Sequence, residues 1–358
     1  MRQIWYYLIN IVASTGLYFT LRRRRVSGLQ HFPRKGPAII VLNHQNALID
    51  AIQVPTLPPR PFVWFLARAD LFKSPLLAAV LRSLNMMPIY RLRDGRNTLA
   101  RNEAILNHCA DLLVQGHFIQ IFPEGNHHTD KRVRHFKTGF ADIAFRALRR
   151  DRNLDLKIVP AGLNYDHTTC YPASVHLRYG PPIRVRDYYD AADIAASKRA
   201  LTHATRRAIQ QLTTHIEEKG DAYHERIRTM RRAGIDFLDP EVANQFDADV
   251  ATPAPASSPH KRPSPGARLI RSLFALNSLP PLLLWRRIKR RTRDAAFHNT
   301  LRFALILTVF PAYYAAIALA IGLWAGHRAG FAYLAGSILL GMLRKQLPPD
   351  NHCSKTKR

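Results

Sequence analysis

His44 and Asp50, in the run Asn43-His-Gln-Asn-Ala-Leu-Ile-Asp50, are the side chains best suited by type to move a proton. An imidazole serves as general base near neutral pH. A carboxylate on its other nitrogen fixes the tautomer and stabilises the imidazolium. On one uninterrupted helix, six positions turn two side chains about 240° apart. The pair therefore meets only if His44 sits in a loop and the helix begins after it. A lone His and Asp at this spacing also suit a capping or structural role.

Two further groups of residues could act on a substrate. Phe122-Pro123-Glu124-Gly125 follows an apolar run, and a Pro/Gly turn at a strand end brings a carboxylate and backbone NH groups close to a site. Arg91 and Arg93 follow Met86 to Tyr90, and Arg132, Arg134 and Lys137 follow the Phe-Pro-Glu-Gly turn. Guanidinium groups near a histidine base suit a phosphorylated acceptor, although any one of them also reads as part of a solvated basic face. His127, His128, Asp130 and His135 contain metal-ligating types, but adjacent histidines seldom converge on one ion, and no metal is expected. Thr138-Gly139 and the scattered glycines make no phosphate-binding loop.

The elements that must position these groups read as α/β. Short apolar runs predict strands at Ala38 to Leu42, Phe62 to Ala67, Met87 to Tyr90, Phe118 to Phe122, Lys157 to Leu163 and Val175 to Tyr179. Apolar spacings of three and four predict helices over Leu99 to Gln115 and Thr138 to Arg149, with further helix over Asp187 to Lys219. The expected fold is a mixed β-sheet flanked by helices, with an N-terminal membrane-associated helix and a C-terminal transmembrane hairpin. Residues 1–25 form the anchor, 26–235 the catalytic domain, 236–300 a Pro-rich linker and basic membrane-proximal segment, 301–345 the hairpin and 346–358 a basic tail.

The anchor, Ile4 to Thr20, carries Trp5, Tyr6, Tyr7 and Tyr18, and its length is near the lower limit for spanning, so it crosses the bilayer or lies in one leaflet. A buried helix of a soluble domain is the bland alternative. Thr252 to Ala267 holds five prolines and no apolar periodicity, as an extended linker would. Phe303 to Ala325 is uncharged for 23 residues, long enough for the hydrocarbon core, with Pro311 predicting a kink. Ala329 to Leu343 is apolar but short, so that it completes a hairpin or forms a re-entrant segment.

The 53 Lys and Arg against 25 Asp and Glu leave a net charge of +28, which calls for an anionic partner. Arg22 to Arg25, the six basic residues among Arg286 to Arg293, and Arg344, Lys345, Lys355, Lys357 and Arg358 all flank apolar segments. That placement favours anionic lipid over nucleic acid, for which no aromatic-basic stacking motif stands out. By the positive-inside rule the catalytic domain and C-terminus are cytoplasmic, as in an enzyme of the bacterial inner membrane. Cys109, Cys170 and Cys353 are too few and too far apart for a disulfide framework and read as reduced thiols.

Taken in order, Asn43-His44 to Asp50, Pro88-Ile89-Tyr90-Arg91, Phe122-Pro123-Glu124-Gly125 and Val159-Pro160-Ala161-Gly162-Leu163-Asn164-Tyr165 resemble the glycerol-3-phosphate and lysophosphatidic acid acyltransferase family. The likeness covers Val26 to Arg186. It implies that His44 deprotonates an acceptor hydroxyl, that Asp50 orients the imidazole, and that the hydroxyl attacks an acyl thioester with no acyl-enzyme. It further implies that Arg91 contacts the acceptor phosphate, that Glu124 and Gly125 shape the acceptor pocket, and that Lys137 is a further phosphate contact. The expected partners are membrane lipids, acyl-CoA or acyl carrier protein as donor, and a phosphorylated glycerolipid acceptor, with no cofactor. Most members place four residues between the His and the Asp; here there are five, a spacing associated with a glycerol-3-phosphate acyltransferase-like branch. Asn126 and His127 stand where the family usually has Thr or Ser, often followed by Arg.

Overall fold

The computed structural model describes residues 2–91, 97–246, 264–292, 294–295 and 297–349. Arg93, Arg293, the proline-rich stretch up to Pro263, and Cys353 with the basic residues of the final tail lie outside them.

Eight strands form one mixed sheet: β1 (Leu21–Ser27), β2 (Ala38–Leu42), β3 (Val63–Arg68), β4 (Met86–Ile89), β5 (Phe118–Ile121), β6 (Lys157–Tyr165), β7 (Ala173–Tyr179) and β8 (Ile183–Arg184). Their order is β1-β7-β6-β2-β5-β3-β4, with β8 on β6. β6 pairs antiparallel with β7 and β8, and every other pairing is parallel. The helices are α1 (Arg2–Thr20), α2 (Ala47–Ala51), α3 (Gln53–Thr56), α4 (Pro75–Ser83), α5 (Thr98–Val114), α6 (Gly139–Arg150), α7 (Ile194–Leu212), α8 (Gly220–Arg232), α9 (Pro240–Asn244), α10 (Pro265–Asn277), α11 (Leu279–Arg291), α12 (Phe297–Leu307), α13 (Val309–Ala325) and α14 (His327–Gln346).

The central strand β2 shows how sequence becomes layering. All five of its residues are apolar and buried, as a strand covered on both faces requires. Because side chains alternate, Ile39 and Val41 join a core with Phe140, Ile143 and Phe145 of α6 and Leu113 of α5. Ala38, Ile40 and Leu42 face the opposite core, shared with Tyr6 and Leu17 of α1, Val54 of α3 and Phe303 of α12. The sheet is thus the middle layer of three. At Gly162 of β6 a Cβ would lie 2.3 Å from the carbonyl oxygen of Leu212, so α7 packs directly on the strand backbone.

Six expected strands fall within two residues of their observed places, and four expectations need correction. Leu21 to Arg25 are not a flank of the anchor: they belong to β1, an edge strand paired with β7. Four successive arginines hide a strand because the alternation survives in their stems. Arg23 and Arg25 are exposed, whereas Arg24 turns inward to hydrogen-bond Gln53 and Thr56. The helix expected over Asp187 to Lys219 is confined to Ile194–Leu212, capped by Asp193 accepting from Ala196 N. Of the linker expected over Thr252 to Ala267, the described residues open a helix instead: Ser264 caps α10 through its bond from Ala267 N, and Pro265 takes the first turn, where its missing NH costs nothing. Cys109 is a free buried thiol, but Cys170 is disulfide-bonded, so the reading as reduced thiols fails for Cys170.

The helices expected at the membrane also differ from a simple anchor and hairpin. On α1, Tyr6, Ala13 and Leu17 are buried against the protein, while Ile4, Leu8, Ile11 and Val12 are exposed. One apolar face is therefore spent on the domain, the disposition of a helix lying along a surface. Tyr6 donates from Oη to Pro61 O at 3.2 Å, which anchors that face. Among the described residues one helical run, Phe297–Ala325, is long and apolar enough to cross a membrane. It bends at Thr308, where Pro311 cannot donate to the carbonyl three to four residues before it, as the sequence predicts. The bend leaves α12 docked on the catalytic domain, with Phe303 and Leu307 against Gly16 of α1, so only α13 extends away. α14 folds back on α13, and Gly330 lets it approach the Ala318 carbonyl.

Candidate active site

β2, β5, β3 and β4 run parallel, so the segments after them emerge at one edge of the sheet, where α/β folds present functional groups. His44 lies in the loop after β2, and α2 begins at Ala47, the loop-to-helix break that the spacing demanded. Asn43 pins the loop to β6: Nδ2 donates to Leu163 O at 3.0 Å, and Leu163 N donates to Oδ1 at 2.8 Å. Ala47 has φ 40°, a left-handed conformation unusual for a residue with a Cβ. The kink there folds Asp50 back beneath the loop.

Asp50 is fully buried and saturated with donors. Its Oδ2 accepts from His44 Nδ1 at 2.8 Å, Gln45 N at 2.7 Å and Asn46 N at 2.6 Å, and its Oδ1 accepts from Tyr165 Oη at 2.7 Å. A carboxylate can only accept, so Nδ1 carries the proton and the Nε2 lone pair is left for chemistry. Burial first, and then the Asp50 charge, hold the Tyr165 phenol well above its usual range, so it stays a donor. The Phe122 ring stacks on the imidazole with centroids 4.2 Å apart and restricts its rotation.

Glu124 approaches the same loop from β5. Its Oε1 accepts from His44 N at 3.4 Å, and its Oε2 accepts from Arg134 Nε at 2.6 Å. Burial pushes the carboxyl up from the usual range and the Arg134 guanidinium opposes that shift. Arg134 also donates to the Asn126 side chain and carbonyl, which braces the turn. Replacing Arg134 by Met strands a buried carboxylate, and we expect it to cost about 3 kcal/mol of stability. Chemical denaturation checks this, with Glu124→Gln added to the variant recovering part of the loss. Gly125, at φ 78°, lies under the Lys137 side chain: a Cβ there would be 3.0 Å from Nζ. Lys137 N donates to Pro123 O at 2.9 Å, closing the turn.

Arg91 is not brought to His44. It follows β4, three strands from β2 at about 4.8 Å per strand, and its Nη2 lies 3.3 Å from Asp70 Oδ2 in an ion pair shared with Arg68. His127 and His128 turn to separate partners: His127 Nε2 lies 2.8 Å from Asp294 Oδ2, and His128 Nδ1 accepts from Asp130 N.

Two contributors escaped the sequence reading. Tyr165 closes the fourth sequence block, yet its bond to Asp50 bridges 115 positions. Asn299, on α12, donates from Nδ2 to Asn46 Oδ1 at 3.3 Å and to Thr168 O at 2.7 Å. No local pattern in the chain signals that contact.

A family model for acyltransferases matches residues 23–164, which include His44, Asp50, Arg91, Glu124, Gly125 and Lys137. This segment is similar to the acyltransferase family. The acyltransferase domain is similar to the chloroplastic 1-acyl-sn-glycerol-3-phosphate acyltransferase of Arabidopsis thaliana, 27% identical over 144 residues, which are 40% of this chain and 38% of that one. It is also similar to glycerol-3-phosphate O-acyltransferase 2 of Saccharomyces cerevisiae, 35% identical over 71 residues, covering 20% of this chain and 10% of the yeast protein. The chain thus spans well under half of the curated relatives it matches. Among solved structures, a 1-acyl-sn-glycerophosphate acyltransferase of Thermotoga maritima aligns with a TM-score of 0.43 at 19% identity, over 61% of this chain and 83% of that one.

Proposed function

We propose that the protein moves a fatty acyl group from acyl-CoA or acyl carrier protein to the hydroxyl of lysophosphatidic acid, forming phosphatidic acid. The observation that carries this reading is the His44 Nδ1 bond to a fully buried, donor-saturated Asp50, with Nε2 left as base. Nε2 takes the acceptor proton as the hydroxyl oxygen attacks the thioester carbonyl. The C–O bond formed by that attack gives a tetrahedral intermediate, whose collapse breaks the C–S bond and expels the thiolate, which recovers the proton from the imidazolium. Every proton-moving group in this route belongs to the chain itself.

The setting we propose is a membrane surface, with the bacterial inner membrane and a cytoplasmic catalytic domain as the specific assignment. The exposed apolar residues of α1 and those of α4, Leu76, Leu77 and Val80, lie on neighbouring helices joined by the Trp5 Nε1 bond to Ser83. Apolar side chains also cover α10 and α13, among them Leu269, Leu276, Leu323 and Trp324.

Glycerol-3-phosphate is the competing acceptor, favoured by the five-residue spacing between His44 and Asp50. The purified full-length protein, given acyl-CoA or acylated carrier protein with each acceptor, is expected to yield phosphatidic acid from lysophosphatidic acid. A product from glycerol-3-phosphate alone would replace the acceptor and leave the reaction class standing. No ester from either would sink both.

A further inference from the structure

A cavity of about 980 Å³ lies outside residues 23–164, between α10 to α14 and a wall formed by Phe19, Thr169 and Tyr171, and it has a composition that the proposed reaction has not explained. Its volume is at the upper end of the roughly 300–1,000 Å³ of small-molecule sites. Phe274, Leu282, Leu305 and Phe310 are among its apolar lining, whereas Arg271, Arg286, Lys289, Arg302 and Arg344 supply cationic groups. Among the described residues that line it there is no Asp or Glu. An apolar chamber bearing five cations and no acid selects an amphiphile with a hydrocarbon body and an anionic head.

One wall of this cavity is hydrogen-bonded to the catalytic loop. The Arg302 guanidinium lies over the Tyr171 and Trp285 rings, with its carbon 4.9 and 4.7 Å from their centroids, and this stacking fixes its direction. Its Nη1 donates to Asn299 Oδ1 at 3.0 Å, and Asn299 in turn donates to Asn46, between His44 and Asp50. Arg344, mostly buried, lies over the other part of the same aromatic wall, 5.4 Å from the Tyr171 centroid. Arg286 and Lys289 are three residues apart on α11 and so share one helical face.

We propose that this cavity holds a monoacyl glycerol phosphate, with the chain among the C-terminal helices and the phosphate on Arg286, Lys289 and Arg302. The assignment rests on the proposed acyl-transfer reading for its choice of lipid, and it makes the C-terminal helices the seat of acceptor selection. Guanidinium and ammonium groups give charge-assisted bonds to phosphate that a neutral headgroup cannot replace. Lipids of different chain length should differ by about fourfold in affinity per buried methylene until the chamber is filled.

The test is binding, measured apart from turnover. Full-length protein in neutral detergent, carrying His44→Ala so that no transfer occurs, is equilibrated with a long-chain monoacyl glycerol phosphate or with the monoacylglycerol of the same chain. Retention on the protein is then measured. The phosphate-bearing lipid is expected to bind at least about tenfold more tightly, the value of one charge-assisted contact. Ala315→Trp, which places a bulky ring in the chamber, and Arg286→Gln with Lys289→Gln, which removes two charges, should each abolish that preference while the thermal unfolding midpoint stays in place. Equal retention of charged and neutral lipid, or a preference surviving in both variants, overturns the assignment. Should the variant without His44 bind as expected while the wild-type protein acylates no acceptor, the acyl-transfer reading fails and the lipid site stands.

Discussion

Replacing His44 by Ala is expected to lower thioester-dependent acyl transfer by about 10²–10⁴-fold, the usual contribution of a positioned general base. The fold should persist, because the contacts that hold this loop belong to other groups. Asn43 ties it to β6, and the His44 backbone still receives His128 N at 3.0 Å and still donates toward Glu124. The measurement is initial rate with purified protein beside a thermal melt. A rate unchanged in the folded variant would remove His44 from the chemistry, whereas a lost melt would report a structural histidine instead.

Asp50→Asn should do harm of a different kind, lowering both rate and stability. The aspartate accepts four hydrogen bonds on two oxygens in a fully buried place. An amide offers one acceptor oxygen and a donor NH₂ of the same size. With its oxygen on the three donors at Oδ2, its NH₂ faces Tyr165, whose hydroxyl must turn to accept, and with the NH₂ there instead it meets Gln45 N and Asn46 N as donor against donor, costing about 1–3 kcal/mol. If the NH₂ faces His44, Nδ1 must become the acceptor and the proton moves to Nε2, where the base is needed. We expect a rate loss of about 10³–10⁴-fold, comparable to tautomer reversal in other histidine bases. Tyr165→Phe is the informative companion, because it removes one donor but leaves the carboxylate and the tautomer; its stability cost should be only about 1 kcal/mol. Equal rate losses in the two variants would mean that Asp50 acts by holding the fold rather than by directing the imidazole.

The framework was legible wherever local pattern and burial agree. Ala38 to Leu42 announces a strand buried on both faces, and the spacing of His44 and Asp50 already required the break observed at Ala47. β1 was hidden because its alternation is written in arginines, whose stems pack while their heads do not. Arg91 shows what order along the chain leaves open. Its type and order fit a phosphate contact, but only the strand order reveals its distance from β2 and its pairing with Asp70. Tyr165 and Asn299 are similar, since contacts across 115 and 253 positions are decided by three-dimensional packing and leave no periodic trace in the chain.

The Asn299 contact also bears on how the protein comes into being. The loop that carries the base is buttressed by a residue synthesised long after the acyltransferase segment has left the ribosome. Domains emerging first can fold first. Here the sheet has its strands by residue 184, but the catalytic loop lacks its last brace until α12 has arrived and docked against α1. A nascent chain thus completes its chemical centre only once its apolar C-terminal helices are being placed.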